Sequence, residues 1–423
     1  MTKNIIRSVK GTKDILPGES SEWQKIEKSF RNFIHRYGYR EIRTPVFEKT
    51  ELFARGVGEG TDIVTKEMYT WEDRNGDSLT LKPELTAPVV RAYIQHNLGT
   101  ELPLTKLYYF DSLFRRERPQ KGRQRQFHQF GIEAIGSPFP ELDAEIISAA
   151  YLFLSDLGLS KLKLKINSIG SNIAREMYSR ELVNFIKPLR NKLSKISQKR
   201  LETNPLRILD TKIPEEIDLL KNAPDITKYL TNEDQEHFQD VVKLLEIMEI
   251  PFILDSRMVR GLDYYSRTTF EITSDSLGGQ DALCGGGRYD SLVESLGGKP
   301  TPAMGFAAGV ERILIALGET QISNYTNRTD IFIITMSKDS LEMGISLSNI
   351  LRKEGFYIGM DSLRRSVKSQ FREANKLRAQ YALILGEEEM KQNKVTVKQM
   401  SSSDQSMIDI NSISSFFKKS FSL

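Results

Sequence analysis

Cysteine and histidine, the residues most often used in disulfides, metal sites and covalent catalysis, are scarce in this chain of 423 residues. Cys284 is the one cysteine, so no disulfide can form within the chain. The four histidines are scattered, and the patterns H-E-x-x-H, C-x-x-C and G-x-S-x-G do not occur. We therefore predict neither a metal site made of protein ligands nor an enzyme nucleophile.

Long apolar segments are absent as well. No apolar run approaches the ~18 residues that a membrane-spanning helix needs. The first stretch, MTKNIIRSVKGTKDILPG, is polar and lacks the apolar core of a signal peptide. We therefore expect a cytoplasmic protein that does not bind membranes.

Neither sign of charge is in large excess, because the formal net charge is +4. A nucleic-acid interface must then come from local clusters of lysine and arginine. The clearest cluster is FRRERPQKGRQRQFHQFGIEA (residues 114–134), where five arginines and one lysine surround a proline and a glycine. A second cluster lies at residues 175–200, with eight lysines or arginines against two glutamates.

The length predicts two or three domains of ~100 to 200 residues, and an apolar fraction of 39% is enough for their cores. Mixed strand and helix patterns occupy residues 1–170 and return at 251–322, which we assign to one domain. Residues 171–250 show no convincing strands and indicate a helical insertion. After a polar linker, GETQISNYTNRT, residues 329–423 alternate strand with helix, as in a small α/β domain with a largely parallel sheet.

The basic cluster at 114–134 is flanked by two strand-like runs, Leu107–Phe114 and Gln126–Ala134, which predict one long hairpin with a basic tip. Strand side chains alternate between faces, so four residues of the second run share one face: Phe127, Gln129, Gly131 and Glu133. Arg115, at the base of the tip, is placed to join that face. A solvated, charge-rich turn is the ordinary explanation of such a run. An aromatic ring, an amide and a carboxylate beside arginines favour instead an anionic ligand that also carries a cation, because arginine binds phosphate in a bidentate manner.

Two further segments carry weaker signals. CGGGRYD (284–290) lacks the GxxxxGK[ST] form of a phosphate loop, so we interpret it as a tight turn or as backbone crowded against a neighbour. In AMGFAAGVERILIAL, we expect a helix from Gly309 to Leu317 whose apolar stripe leaves Arg312 on another face. Alone, such an arginine is typical of a surface. Together, the arginines and carboxylates suit a site that stabilises charge on phosphorus while another bound group attacks it.

These stretches resemble the histidyl-tRNA synthetase family of the class II aminoacyl-tRNA synthetases. GYREIRTPVFE (38–48), which contains Pro45, resembles the first class II motif and implies a homodimer; the basic hairpin resembles motif 2 and GFAAGVERILIAL (305–317) resembles motif 3. RGLDYYSRTTFE (260–271) and ALCGGGRYD (282–290) are similar to two signatures of the histidine enzymes. The resemblance implies an α+β catalytic domain with an antiparallel sheet flanked by helices, a helical insertion that contacts tRNA, and a C-terminal anticodon-binding α/β domain.

The resemblance also implies a two-step reaction. The carboxylate of L-histidine attacks the α-phosphorus of ATP with the help of Mg²⁺, and a terminal ribose hydroxyl of tRNA(His) then attacks the histidyl-adenylate. Arg260 and Arg115 would be the catalytic residues. The implied histidine-binding residues are Glu84, Thr86, Arg115, Gln129, Glu133, Arg260, Tyr264 and Tyr265. The implied ATP-binding residues are Arg115, Glu117, Arg123, Phe127 and Arg312.

The implied roles are more specific within these groups. The histidine ammonium would meet Glu84, Thr86 and Gln129, and the imidazole would lie near Glu133, Tyr264 and Tyr265. The hairpin tip would contact the acceptor end of tRNA through Arg118, Gln120 and Lys121. This chain departs from the family at two places, with Lys82 where an arginine precedes Pro83-Glu84, and with Ser291 where a glycine follows Arg-Tyr-Asp.

Two other functions fit parts of the sequence. The synthetase-like regulatory subunit of ATP phosphoribosyltransferase shares the catalytic fold but does not charge tRNA; it typically lacks the C-terminal domain and has degraded histidine signatures, whereas both are intact here. An RNA-binding module without catalysis would explain the basic hairpin but not Glu84, Glu133 and Arg260.

Overall fold

The structure is a computed structural model that describes residues 5–275, 282–318 and 329–421. The described residues up to Gly318 form one compact unit, and those from Thr329 onward form another. Except for its first and last residues, the linker predicted at 318–329 lies outside the described residues. Among the described residues, no helix is both long and apolar enough to cross a membrane.

The first unit is built from eleven strands and eleven α-helices in its described residues. The strands are β1 (Arg40–Glu41), β2 (Phe47–Lys49), β3 (Tyr69–Glu72), β4 (Ser78–Leu81), β5 (Thr105–Phe114), β6 (Gln126–Ile135), β7 (Leu162–Ser168), β8 (Ile253–Leu254), β9 (Ser266–Ser274), β10 (Ala282–Arg288) and β11 (Ala303–Gly309). The helices are α1 (Pro17–His35), α2 (Thr50–Val57), α3 (Thr86–Gln95), α4 (Leu98–Glu101), α5 (Pro140–Asp156), α6 (Asn172–Ile186), α7 (Lys195–Thr203), α8 (Pro214–Leu219), α9 (Asn232–Ile247), α10 (Leu292–Ser295) and α11 (Val310–Leu317).

An eight-stranded sheet organises the first unit, in the order β1-β5-β6-β11-β10-β9-β7-β8. Its inner neighbours are antiparallel, whereas β1 and β8 lie parallel to β5 and β7 at the two edges. A small antiparallel sheet, β2-β4-β3, contains a turn at Asn75-Gly76, where Gly76 has a φ of +86° that favours glycine. The expectation of an antiparallel sheet flanked by helices is confirmed, with parallel strands added at its edges.

The predicted long hairpin is β5–β6, and its register pairs Asp111 with Gln129 and Leu113 with Phe127. Phe130 and Ile132, from the apolar face of β6, are buried in the main core, where helices α1, α5, α9 and α11 cover the sheet. The alternation predicted from the sequence is therefore confirmed, and the opposite face of β6 is left for a site.

The glycine-rich segment CGGGRYD is not a turn, because Cys284–Arg288 belong to strand β10 between β9 and β11. A Cβ atom on Gly286 would lie 2.2 Å from the carbonyl oxygen of Gly305, and one on Gly287 would lie 2.6 Å from that of Thr268. The other interpretation, backbone crowded against a neighbour, is confirmed. These glycines let three strands pack closely under the site.

Residues 171–250 contain helices and turns, and all of them are described. Besides α6–α9, three short 3-10 helices occur, at Lys187–Lys192, Pro205–Asp210 and Ile226–Tyr229. Helices α6 to α8 and these turns, residues 171–230, share a core of their own and are called the helical segment below. Helix α9 instead contributes to the main core, beside α5.

The second unit is an α/β domain, as predicted. Its elements are β12 (Ile331–Thr335), α12 (Lys338–Lys353), β13 (Ile358–Met360), α13 (Val367–Lys376), β14 (Tyr381–Leu385), α14 (Glu387–Lys391), β15 (Lys394–Gln399), β16 (Gln405–Asp409) and α15 (Ile413–Phe421). The sheet order is β13-β12-β14-β15-β16. Two of its four pairings are parallel and two are antiparallel, so the prediction of a largely parallel sheet is wrong. The predicted pattern did not include β16, whose side chains are mostly exposed.

Candidate active site

A cavity of about 410 Å³ lies on the face of β6 that carries Phe127, Gln129 and Glu133. All twelve residues that the family resemblance assigned to histidine or ATP line this cavity: Glu84, Thr86, Arg115, Glu117, Arg123, Phe127, Gln129, Glu133, Arg260, Tyr264, Tyr265 and Arg312. They come from the β4–α3 connection and the first residue of α3, the β5–β6 hairpin, the segment before β9 and helix α11. Groups far apart in sequence therefore converge on one surface of the sheet.

Glu84 sits where the chain enters helix α3. Its Oε2 accepts a hydrogen bond from the backbone amide of Thr86 at 2.9 Å, and its Oε1 accepts one from that of Ala87 at 2.9 Å. The first amides of a helix lack partners within the helix and favour negative charge. Burial raises the pKa of Glu84, and these two amide bonds oppose that increase. The helix therefore fixes the direction of an acidic group inside the cavity.

Glu133 is buried and accepts three hydrogen bonds. Tyr289 donates to its Oε2 at 2.5 Å, while Thr86 and Tyr109 donate to its Oε1 at 2.8 and 3.1 Å. Burial nevertheless raises the pKa of Glu133 to about 8, and the nearby Glu84 contributes. Space for this carboxyl depends on Gly305, where a Cβ atom would lie 1.8 Å from Oε2. The site thus contains a carboxyl group poised to exchange a proton near neutral pH.

Arg115 lies at the base of the hairpin tip, beside Phe127. Its Nε donates to the carbonyl oxygen of Pro83 at 2.8 Å, and its guanidinium carbon is 5.2 Å from the centre of the Phe127 ring. Glu117 pairs with Arg123 at 2.8 Å and lies 4.0 Å from Arg115. The base of the hairpin therefore presents two guanidinium groups and one carboxylate to the cavity.

Arg312 occupies the cavity wall, although an isolated arginine on this helix is typical of a surface. Its Nε donates to the carbonyl oxygen of Gly122 at 3.1 Å, and its Nη1 donates to that of Ala282 at 2.8 Å. Burial and the nearby charge of Arg123 lower the pKa of Arg312. These contacts connect α11 to the hairpin and hold the guanidinium group of Arg312 at the cavity wall.

Arg260 and the tyrosine pair reach the cavity from the segment before β9. Nη1 of Arg260 pairs with Glu271 at 2.5 Å, and its Nε is buried without a hydrogen-bond partner among the described residues. The guanidinium group lies against Gly285, where a Cβ atom would be 2.0 Å from Nη2. Tyr264 and Tyr265 come shortly after Arg260 in the sequence, and their ring centres are 4.7 Å apart.

The predicted tRNA-contact residues Arg118, Gln120 and Lys121 are exposed at the hairpin tip and do not line the cavity. Backbone bonds of 3.1 and 2.9 Å between Gln120 and Arg123 close the tip, where Gly122 has a φ of +74°. The tip is therefore a structured, basic protrusion next to the cavity.

The two departures from the family pattern have local partners. Lys82 is fully buried, and its ammonium group bonds to Asp111 at 2.6 Å and to the carbonyl oxygen of Thr44 at 3.2 Å. The hydroxyl of Ser291 lies 3.2 Å from the side-chain amide of Asn172. Neither residue lines the cavity.

Several cavity-wall or supporting residues were missed by the sequence analysis: Asp62, Glu67, Tyr109, Arg200, Arg207, Asp210, Tyr289 and Glu311. The glycine at position 131 could have indicated Tyr109. Tyr109 pairs with Gly131 across the hairpin, and its ring fills the space over that glycine. Tyr289 was hidden because its segment was interpreted as a turn. Glu311 accepts the backbone amide of His128 at 3.0 Å, a contact between distant segments that no local pattern predicts.

Comparisons with known proteins identify relatives over nearly the whole chain. The family model described as histidyl-tRNA synthetase matches residues 11–313, and the one described as anticodon binding domain matches residues 330–420. A histidine–tRNA ligase of Thermoanaerobacter pseudethanolicus is 47% identical over 410 residues, covering 97% of this chain and 98% of that protein.

Solved structures are similar too. The crystal structure of apo histidyl-tRNA synthetase from S. aureus has a TM-score of 0.82 and 37% identity, covering 98% of this chain and all of that one. A Bacillus halodurans protein titled an ATP phosphoribosyltransferase regulatory subunit/histidyl-tRNA synthetase has a TM-score of 0.65 at 23% identity, which shows a shared fold alone. With a family match over most of its length and a full-length relative at this identity, the chain belongs to the histidyl-tRNA synthetase family.

Proposed function

We propose that this protein is a histidine–tRNA ligase, which activates L-histidine with ATP and transfers it to tRNA(His). The observation that carries the proposal is the convergence of Glu84, Arg115, Glu133, Arg260 and Arg312 on one cavity. An amino acid beside a nucleotide needs an anchor for an ammonium group, donors for phosphate and a polar pocket for the side chain. This cavity offers all three.

Histidine binds between Glu84 and the tyrosine pair in this proposal. Its ammonium group meets Glu84, Thr86 and Gln129, and its imidazole faces Glu133, Tyr264 and Tyr265. A buried polar pocket of this kind discriminates strongly, because its groups would stay unpaired with any side chain that lacks ring nitrogens. The three donors around Glu133 support this placement, since they fix the carboxyl group before histidine arrives.

ATP binds along the hairpin and α11. Arg115 and Arg312 hold phosphates, Phe127 and Arg312 enclose the adenine ring, and Glu117 and Arg123 assist. The position of Arg115 beside the Phe127 ring supports a site where a flat base and a phosphate are held together.

Mg²⁺ fits the acidic part of this wall. Among the described residues, no group of three or more His, Cys, Asp or Glu side chains forms a ready metal site. Mg²⁺ needs only one or two carboxylates beside substrate phosphates, and Glu67 and Glu117 both line the cavity. Burial raises the pKa of Glu67, and the charge of Glu117 contributes to that increase, as expected for neighbouring carboxylates. These two residues would hold the ion, which would offset charge on the phosphates.

Adenylate formation then requires orientation and charge stabilisation, without an enzyme nucleophile. The histidine carboxylate attacks the α-phosphorus, the bond to the bridging oxygen of pyrophosphate breaks, and pyrophosphate leaves. Arg260 and Arg115 stabilise the negative charge that develops on the phosphoryl oxygens. In the second step, a ribose hydroxyl of tRNA attacks the adenylate carbonyl and AMP leaves.

The remaining assignments concern tRNA and assembly. We assign catalysis to residues 1–170 and 251–322, a helical insertion to 171–250 and anticodon binding to 329–423. The exposed tip residues Arg118, Gln120 and Lys121 would contact the acceptor end through its phosphates. A homodimer and a cytoplasmic location complete the proposal. The half-exposed side chains of Val46 and Phe47, both in the first motif, support a dimer contact there.

Histidine-dependent exchange between pyrophosphate and ATP tests the proposal. Purified protein should catalyse this exchange with histidine and not with other amino acids, and should charge tRNA(His). If the protein were instead a synthetase-like regulatory subunit, it would show no exchange. If it were an RNA-binding module without catalysis, it would bind RNA whether or not histidine is present. Absence of exchange from folded protein would remove the ligase assignment.

A further inference from the structure

The tyrosine pair of the proposed imidazole pocket is packed into the helical segment. Tyr265 is buried in the core of the helical segment, which includes Tyr178 and Leu206, and Tyr264 packs against that core. The main chain from Arg260 to Tyr265 has no regular strand or helix, so the sheet does not fix its position. Contacts from the helical segment therefore help to position these rings, together with the packing of Tyr264 against Tyr289, whose ring centre is 5.7 Å away.

Arg175, in the first turn of α6, makes the most direct of these contacts. Its Nη1 donates to the carbonyl oxygen of Tyr265 at 2.7 Å and to that of Asp263 at 3.3 Å. One guanidinium group thus holds the main chain on both sides of Tyr264. Burial lowers the pKa of Arg175, consistent with a cation enclosed by protein and not by solvent.

Two further contacts hold the main chain between Arg260 and Tyr265 at Asp263. The side-chain amide of Asn204 donates to Oδ1 of Asp263 at 2.5 Å, and the backbone amide of Asp263 donates to the carbonyl oxygen of Val57 at 3.2 Å. Asp263 is therefore fixed both by the residue that follows α7 and by α2. Arg175 supplies the one contact in this set that reaches Tyr265.

We propose that Arg175 is a positioning residue for histidine recognition, which holds the main chain of Asp263 and Tyr265 so that both tyrosine rings face Glu133. Arg175 lies in the basic stretch 175–200, where the sequence suggested tRNA contacts, but its guanidinium group points inward. The inference rests on the proposed function, because it concerns the imidazole end of that site. Arg175 lines a small neighbouring cavity, and it does not line the active-site cavity, so it acts through the tyrosine segment.

The test measures pyrophosphate exchange while the concentrations of histidine and of ATP are varied separately, which gives a KM for each substrate. Arg175→Met keeps the length of the stem but removes the donors, and we expect the KM for histidine to rise about tenfold while the KM for ATP changes less than twofold. Arg175→Lys retains one cationic donor and should recover part of the loss. The matched control is Arg180→Met, an exposed arginine on the same helix, which should leave both KM values unchanged.

The outcomes are distinguishable. If the wild-type protein shows no histidine-dependent exchange, the proposed function fails and the variants are not needed. If the wild type is active and Arg175→Met raises both KM values equally, or lowers kcat alone, Arg175 is a general structural residue and the inference is wrong. Should Arg175→Met fail to fold by circular dichroism, Arg175→Lys carries the same test, since a selective increase in the KM for histidine supports the inference and unchanged values overturn it.

Discussion

The hydroxyl of Tyr289 donates a hydrogen bond to Oε2 of Glu133 at 2.5 Å, so the residue after β10 fixes a carboxyl group on β6. Strand β11 lies between β6 and β10 in the sheet. The contact is possible because Gly305, on β11, has no side chain between them. The proposed imidazole pocket therefore depends on three strands at once.

The first prediction concerns stability and pH. The folded protein holds a proton on Glu133 up to a pKa of about 8, whereas an unfolded carboxyl releases it near 4.5. This contribution to stability is thus fully present below about pH 4.5 and is lost as pH rises through 8. Glu133→Gln imitates the protonated group and removes the dependence, so its melting temperature relative to wild type should rise between pH 6 and pH 9.

Thermal unfolding without ligands, followed by circular dichroism at several pH values, measures this effect. Glu236→Gln, which changes an exposed residue on α9, is the control and should follow the pH dependence of the wild type. Parallel curves for the wild type and Glu133→Gln would show that Glu133 does not titrate in this range.

The second prediction separates the two substrates. Glu133→Ala removes the acceptor at the end of the imidazole pocket and leaves three donor side chains without it, so the KM for histidine should rise by at least about tenfold. The KM for ATP should change little, because the residues proposed to bind ATP lie on the hairpin and α11. A loss confined to ATP binding would mean that Glu133 faces the nucleotide.

The sequence predicted the face of β6 because alternation is a local property of a strand, and Phe127, Gln129 and Glu133 all line the cavity. It did not predict that Cys284–Arg288 form a strand, since glycine is unfavourable in isolated strands and is accepted here only because three backbones pack closely. The roles of Tyr289 and Arg175 depend on contacts between segments far apart in the chain, which no period reveals. The specific roles of the cavity residues came from the family resemblance and not from spacing.

The third prediction concerns the chemical step. Arg260→Ala removes the donor proposed for the reacting phosphate and should slow adenylate formation by ~10² or more without unfolding the protein. Single-turnover formation of the adenylate measures the rate. Arg257→Ala is the control, because that exposed arginine contacts the carbonyl oxygen of Lys221. An unchanged rate for Arg260→Ala would show that this arginine has no role in the step.

The fourth prediction follows from the contact between Arg260 and Gly285. A methyl group at residue 285 would lie 2.0 Å from Nη2, so Gly285→Ala must displace the guanidinium group and should slow adenylate formation as well. If displacement of Arg260 is the cause, Gly285→Ala combined with Arg260→Ala should be no slower than Arg260→Ala alone. Multiplicative losses in the double variant would indicate that the methyl group disturbs something else.

The last prediction separates tRNA binding from activation. Arg118 and Lys121 are exposed at the hairpin tip and do not line the cavity, so replacing both with alanine should leave histidine-dependent pyrophosphate exchange unchanged. The KM for tRNA should rise several-fold, and the dependence of that KM on salt should become weaker, because phosphate contacts release counterions. Lys25→Ala with Lys28→Ala, which removes the same charge from the exposed face of α1, controls for a general loss of positive charge. Equal effects of the two double variants would mean that tRNA is attracted by overall charge and that the tip makes no specific contact with its acceptor end.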